Sequence, residues 1–145
     1  MKHFLYYIED AIKNRWNQPA ISNYGAKTYT FGEIASGVAK MHILFEKSGV
    51  KKGDHVAIAA RNSAEWCIAF IAIASYKAVA VPLLPDFLPE NIAHLTKLSD
   101  SKLLLVDKNI LLGLQRSNSL DKVVATPGFI GVVDIVTCAP IVGCS

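Results

Sequence analysis

Charge is scarce in this sequence: 19% of its 145 residues are Asp, Glu, Lys or Arg, against roughly 25% in an average globular chain, while 52% are apolar. Fifteen Lys and Arg against twelve Asp and Glu leave a net charge of +3, with the cations scattered from Lys2 to Lys122. The densest group, Lys47 with Lys51 and Lys52, is flanked by Glu46 and Asp54, so the chain has no basic stripe and no nucleic-acid partner is expected. Cysteine is scarce too. Cys67, Cys138 and Cys144 are odd in number and fit neither a disulfide framework nor a zinc ligand set, which suits a reducing, cytoplasmic setting.

Long unbroken hydrophobic runs are missing too. Residues 66–84 are nearly apolar but carry Lys77 and Pro82, and the tail over 123–145 is interrupted by Pro127, Gly128, Gly131, Pro140 and Gly143. A bilayer needs about 20 clean residues, so no transmembrane segment is expected; buried elements with turns explain both stretches. The apolar run 4–8 is too short for a secretory leader. Catalytic signatures are equally absent: there is no G-x-G-x-x-G, G-x-S-x-G, H-E-x-x-H or C-x-x-C. Gly32 and Gly37 have phosphate-loop spacing, but Val38 and Ala39 stand where a lysine and a hydroxyl residue belong.

What the sequence does contain is periodic. Leu5, Ile8, Ile12 and Trp16 have helical spacing, predicting a helix over 4–16. The segments 20–22 and 28–30 flank Asn23-Tyr24-Gly25 as a short hairpin. Thr30-Phe31-Gly32-Glu33 has the form of a capping box that opens a long helix ending at Ser48, with Gly49 as its left-handed terminator. His42 falls on the apolar stripe of that helix, where a ring packed at the core edge is the expectation.

After the turn Val50-Lys51-Lys52-Gly53-Asp54, residues 55–59 are apolar on both faces, the mark of a strand inside a doubly covered sheet. Asn62-Ser63-Ala64-Glu65 caps a helix over 66–76, and 78–81 reads as another fully buried strand that leaves the sheet at Pro82. Pro89 suits the first turn of a helix over 90–98. Residues 102–106 form a strand closed in solvent by Asp107, 123–125 suggest one more strand, and 126–131 a turn between strands. Alternation of strand and helix with short links predicts an α/β fold: a partial doubly wound, mainly parallel sheet with helices on both faces, preceded by the N-terminal helix and hairpin.

Five segments in order resemble the N-terminal region of the AMP-forming acyl-CoA synthetases, also called adenylate-forming or AMP-binding enzymes, most closely their long-chain fatty acid branch. They are residues 28–33, residues 49–58 around Gly53-Asp54, Asn62-Ser63-Ala64-Glu65-Trp66, Ala78-Val79-Ala80-Val81-Pro82-Leu83 with Pro85, and the S-D-S-K-L-L-L-V-D run at 99–107. The resemblance spans roughly 4–115, and the apolar tail over 121–145 has no clear family pattern. Lys77 stands where the family usually has glycine, and Leu88 where a hydroxyl N-cap is common.

The resemblance implies a ligase that joins a carboxylate to the α-phosphate of ATP, releases pyrophosphate, and passes the acyl group to the thiol of coenzyme A. Its phosphate loop, magnesium acid, adenine-binding segment and catalytic lysine have no counterpart in this chain. Residues 1–145 are therefore expected to be one N-terminal subdomain, a fragment inactive alone, with ATP, Mg²⁺, fatty acid and coenzyme A belonging to the intact enzyme. No catalytic, cofactor or metal residue is assigned. Gly53, Asp54, Asn62, Ser63, Trp66, Val81, Pro82 and Pro85 are structural signatures, and Asp86 with Phe87 forms a candidate edge of the acyl or coenzyme tunnel. A non-catalytic α/β binding or oligomerisation module derived from that family is the competing class, and a peripheral membrane protein using the apolar tail a third. The low charge and doubly apolar strands predict self-association or element swapping through exposed apolar surface.

Overall fold

A computed structural model describes residues 9–10, 13–22 and 28–142. Residues 9–10 and 13–14 are helical, with Lys13 Nζ 3.0 Å from Glu9 Oε1; the rest of the helix expected over 4–16, and the turn Asn23-Tyr24-Gly25, lie outside the described residues. Strands β1 (Pro19–Ser22) and β2 (Thr28–Thr30) pair antiparallel as the expected hairpin. Helix α1 (Phe31–Ser48) follows at once. Its capping box is formed in both directions: the Thr30 hydroxyl accepts from the Glu33 amide and the Glu33 carboxylate from the Thr30 amide, each at 3.1 Å. Gly49 ends the helix at φ 85°, a conformation that a Cβ would penalise.

The chain then alternates: β3 (His55–Ala59), α2 (Ala64–Ser75), β4 (Val79–Leu83), α3 (Pro89–Leu98), β5 (Ser101–Val106), α4 (Lys108–Arg116), α5 (Ser119–Val124), β6 (Gly131–Asp134) and β7 (Pro140–Val142). These strands make one sheet in the order β4-β3-β5-β6-β7, parallel except for β7. Side chains alternate across it. Val56, Ile58, Leu103, Leu105 and Val133 meet Met41 and Phe45 of α1 and Ala69, Ala72 and Ile73 of α2 on one face. Ala57, Ala59, Leu104, Val106 and Val132 meet Ile92 and Ala93 of α3, Leu114 of α4 and Val123 of α5 on the other. β3 and β5 thus have no wet face, which is why their sequences show no polar alternation.

Three expectations are corrected. Residues 78–81 are not a fully buried strand: β4 is the sheet edge, Val79 is 44% exposed, and the strand continues through Pro82 to Leu83. An edge position tolerates proline because one side of the strand has no partner to which its missing amide would donate. Residues 123–125 are not a strand but the end of α5, entered through Asn118 at φ 59°, with Val123 buried on one side only. Their β-branched character reflects packing against the helical layer, and the turn at 126–131 accordingly joins a helix to β6.

The two α1 glycines have a packing role. A Cβ at Gly37 would lie 2.9 Å from Ile68 Cγ2 of α2, and one at Gly32 would lie 2.5 Å from the Trp16 indole nitrogen. His42 sits at the same α1–α2 seam as expected, its Nε2 donating to the Ala72 carbonyl at 3.0 Å, with the ring tilted on Tyr76. At the far end of α2, Lys77 is exposed and held at φ 69° while its carbonyl accepts the Gly53 amide at 2.9 Å. A lysine pays backbone strain there that glycine would not. Accordingly, Gly37→Ala should destabilise the chain by about 1–3 kcal/mol through overpacking, and Lys77→Gly should stabilise it by about 1 kcal/mol. Urea denaturation followed by circular dichroism measures both; a neutral Gly37→Ala would show that the α1–α2 seam yields without cost.

Candidate functional site

From β3 the chain leaves the sheet over one face through α2, whereas from β5 it leaves over the opposite face through α4. Adjacent parallel strands whose connections diverge in this way open a crevice at their carboxyl ends, the usual ligand position of open α/β sheets. Here the crevice is a cavity of about 240 Å³ lined by Arg61, Pro85, Asp86, Phe87, Asp107 and Asn109, with Pro89, Ile92, Ile110 and Gly113 behind them. Gly113 lets α4 close on α3, since a Cβ there would meet Pro89 Cγ at 3.3 Å.

One carboxylate ties the crevice together. Asp107 Oδ1 accepts the Ile110 amide at 2.9 Å, capping α4, and Oδ2 accepts the Arg61 amide at 3.0 Å from the loop after β3. Asp107 is therefore not a solvent-facing strand terminator, as the sequence suggested. Both of its oxygens are engaged by backbone donors, which suits an anchor rather than a proton carrier. On the β4 side Phe87 closes a turn by donating its amide to the Leu84 carbonyl at 3.1 Å and packs on the second core cluster, while Asp86 is exposed. Leu88 is the N-cap of α3, is 64% exposed and makes no side-chain cap bond, leaving the helix start uncapped.

A second cavity, of about 270 Å³, lies on the other face where β2, the starts of α1 and α2, and the β6–β7 turn converge. Tyr29 Oη donates to Glu65 Oε1 at 3.2 Å. Burial first, then the negative charge and hydrogen bond of Glu65 and the charge of Glu33, hold the Tyr29 phenol above its ordinary range. Cys138, across the cavity, is likewise pushed up, mainly by burial, with Lys40 opposing and Asp134 adding to the rise. Such a thiol is held in its unreactive form. Among the described residues no group of His, Cys, Asp and Glu could hold a metal ion.

The structure separates the sequence-derived residues into four places. Gly53 and Asp54 lie at the opposite, amino edge of the sheet: the Asp54 carboxylate accepts the Lys51 amide at 2.8 Å and its carbonyl accepts Val79 N at 2.8 Å, joining the starts of β3 and β4. Ser63 caps α2 by accepting the Trp66 amide at 3.1 Å, beside exposed Asn62, and Trp66 stacks on Phe70 with centroids 5.5 Å apart. Val81 and Pro82 belong to the edge strand, and only Pro85, Asp86 and Phe87 enter the crevice. Arg61, Asp107 and Asn109 complete it; the sequence marks Asp107 only as a strand terminator and does not mark Arg61 or Asn109. The signal for them is topological, because it requires knowing that β5 lies beside β3 rather than beside β4.

A family model described as AMP-binding enzyme matches residues 8–140. Among curated proteins, surfactin synthase subunit 2 of Bacillus subtilis (strain 168) is 24% identical over 103 residues, covering 71% of this chain and 3% of that protein. The oxalate–CoA ligase of Arabidopsis thaliana is 36% identical over 78 residues, 48% of this chain and 15% of its own length. The long-chain-fatty-acid–CoA ligase heimdall of Drosophila melanogaster is 29% identical over 92 residues, 63% and 14% respectively. Among solved structures, an anthranilate CoA ligase in complex with anthranoyl-AMP superposes with a TM-score of 0.78 at 19% identity, over 92% of this chain and 25% of that one. The chain thus spans a small part of the relatives it matches.

Two outcomes follow from the site geometry. Asp107→Ala leaves two amides without their acceptor and should cost about 2 kcal/mol, with Asp107→Asn losing less, measured by urea unfolding. Because the folded-state phenol of Tyr29 titrates above its unfolded value, its contribution is complete below about pH 10 and fades as pH rises through the folded titration. The stability difference between wild type and Tyr29→Phe should therefore be constant below that pH and shrink above it; a difference that grows in alkali would contradict the assigned direction.

Proposed function

The chain belongs to the AMP-binding enzyme family, and from that membership we propose that it is the N-terminal subdomain of a fatty acyl-CoA ligase. The whole enzyme would let a fatty carboxylate oxygen attack the α-phosphorus of ATP with loss of pyrophosphate. The coenzyme A thiolate would then attack the acyl carbonyl and expel AMP. The fatty acid assignment is supported by the five family segments and by similarity to a long-chain-fatty-acid–CoA ligase. ATP and Mg²⁺ would supply the leaving group and its charge neutralisation, and both belong to the part of the enzyme beyond this subdomain.

The observation that carries this reading is the combination of a family match over 8–140 with a crevice of about 240 Å³ at the carboxyl edge, below the ~300–1,000 Å³ of sites that enclose a small-molecule ligand. The subdomain contributes a wall rather than a complete site. Pro85, Asp86 and Phe87 would border the acyl or coenzyme tunnel, with Asp107 fixing the loop opposite. Gly53, Asp54, Asn62, Ser63, Trp66, Val81 and Pro82 serve the fold. Self-association through the β4 edge and exposed apolar side chains is the accompanying proposal for the isolated chain.

Incubated with ATP, Mg²⁺, palmitate and hydroxylamine, this chain alone should form no acyl hydroxamate; ATP-dependent hydroxamate would sink the proposal. In a full-length ligase that contains this segment, Asp86→Ala should raise KM for fatty acid or coenzyme A several-fold with kcat little changed. Unaltered KM values would remove residues 85–87 from the tunnel.

A further inference from the structure

Helix α1 has two working faces. Ile34, Met41 and Phe45 enter the core, while its other side carries the series Lys40, Ile43, Leu44 and Lys47, all exposed except Leu44, which is half-buried against the core. These positions follow the i, i+3, i+4, i+7 pattern by which one helix face is read by another. Together with Thr137, Cys138 and Pro140 of the β6–β7 turn they line a groove of about 360 Å³. Its floor is apolar: Ile43 is 53% exposed, with Leu44 and Pro140 beside it. Lys40 and Lys47 stand seven residues apart, about 10.5 Å along the helix axis, and neither makes an ion pair among the described residues. The one acid in this half of α1, Glu46, is not part of the groove.

We infer that this groove docks an amphipathic helix of a partner protein, one whose apolar stripe is bordered by Asp or Glu. The charge arrangement selects that occupant: two cations with no ion pair among the described residues flank a hydrophobic strip along a helix axis, so a complementary helix brings one carboxylate to each end and its apolar side chains between them. The groove's volume accommodates the side chains of one helical face, not a whole helix, so the partner lies on the surface with its stripe inserted. The site is remote from the crevice, because α1 covers the opposite face of the sheet from α3 and α4. The inference therefore stands whether or not the ligase reading does.

The test uses the full 145-residue chain and a fluorescein-labelled three-heptad helical peptide with Leu at i, i+3, i+4 and i+7 positions and Glu bordering them. A second peptide replaces each Glu by Lys, and a third scrambles the Leu positions. Anisotropy should show the acidic peptide binding, with affinity falling as salt is added. Lys40→Glu/Lys47→Glu should weaken it roughly tenfold and confer binding of the Lys peptide, while Ile43→Ser should weaken both. All three substitutions are at solvent-facing positions, and circular dichroism checks that each variant is folded. Lys97→Glu/Lys122→Glu, on the other layer, should leave binding unchanged. Equal binding of the scrambled peptide, or equal loss from the Lys97/Lys122 pair, would reduce the effect to general attraction and overturn the proposal. Concentration-dependent dimerisation in sedimentation runs that Lys40→Glu/Lys47→Glu abolishes would make a second copy the occupant and overturn it as well.

Discussion

The fold depends first on β5 being dry on both faces and hydrogen-bonded on both edges. A strand so placed can be filled only by apolar side chains, and Leu103, Leu104, Leu105 and Val106 supply them, each essentially inaccessible to water. It pairs with β3 on one side and β6 on the other, while alternate residues reach the α1–α2 layer and the α3–α4–α5 layer. Flanked by β3 and β6, whose side chains also reach both layers, it is the central strand of the two-sided core. At about 1.5–3 kcal/mol for each fully buried aliphatic side chain, these four residues alone outweigh the caps and turns described around them.

The site follows from that placement. Inserting β5 between β3 and β6 makes the connections at the carboxyl edge diverge, and divergence leaves space. Most of that space is taken by Asp107, Phe87 and the first turns of α3 and α4, so what remains is a shallow wall lined by Arg61, Asp86 and Asn109. It accounts for a sequence that has the pattern of a nucleotide-binding layer and none of the usual phosphate-binding motifs.

Much of the fold was legible in the residues. Thr30 and Glu33 announced the start of α1, Gly49 its end, Ser63 and Pro89 the starts of α2 and α3, because caps and helix-first prolines are local chemistry. Burial on both faces of β3 was equally plain from an unbroken apolar run. The errors came where strand order or layer decides. Residues 78–81 look as buried as 55–59, but β4 lies at the edge, where a polar face was never required and Pro82 is tolerated. Val123 and Val124 have strand-forming side chains, yet a left-handed Asn118 and one-sided packing make them helical. Asp107 looked like a terminator because its second partner, the Arg61 amide, is 46 residues away and comes near only when β3 and β5 pair. Of the crevice, the sequence showed only the proline-bounded side, residues 85–87.

The two bonds made by that aspartate restrict how this piece of sequence can change. The loop 60–63 and the start of α4 at 107–110 leave the sheet toward opposite layers, and each would ordinarily be free to lengthen or shorten by itself. A shared carboxylate removes that freedom: an insertion in either loop that shifts its amide by more than a hydrogen-bond length strands the acceptor for both. The two segments are therefore coupled structurally despite their separation in the chain. At the carboxyl edge the stretch after β4 that carries Asp86 is free of this tie, since neither aspartate oxygen reaches it.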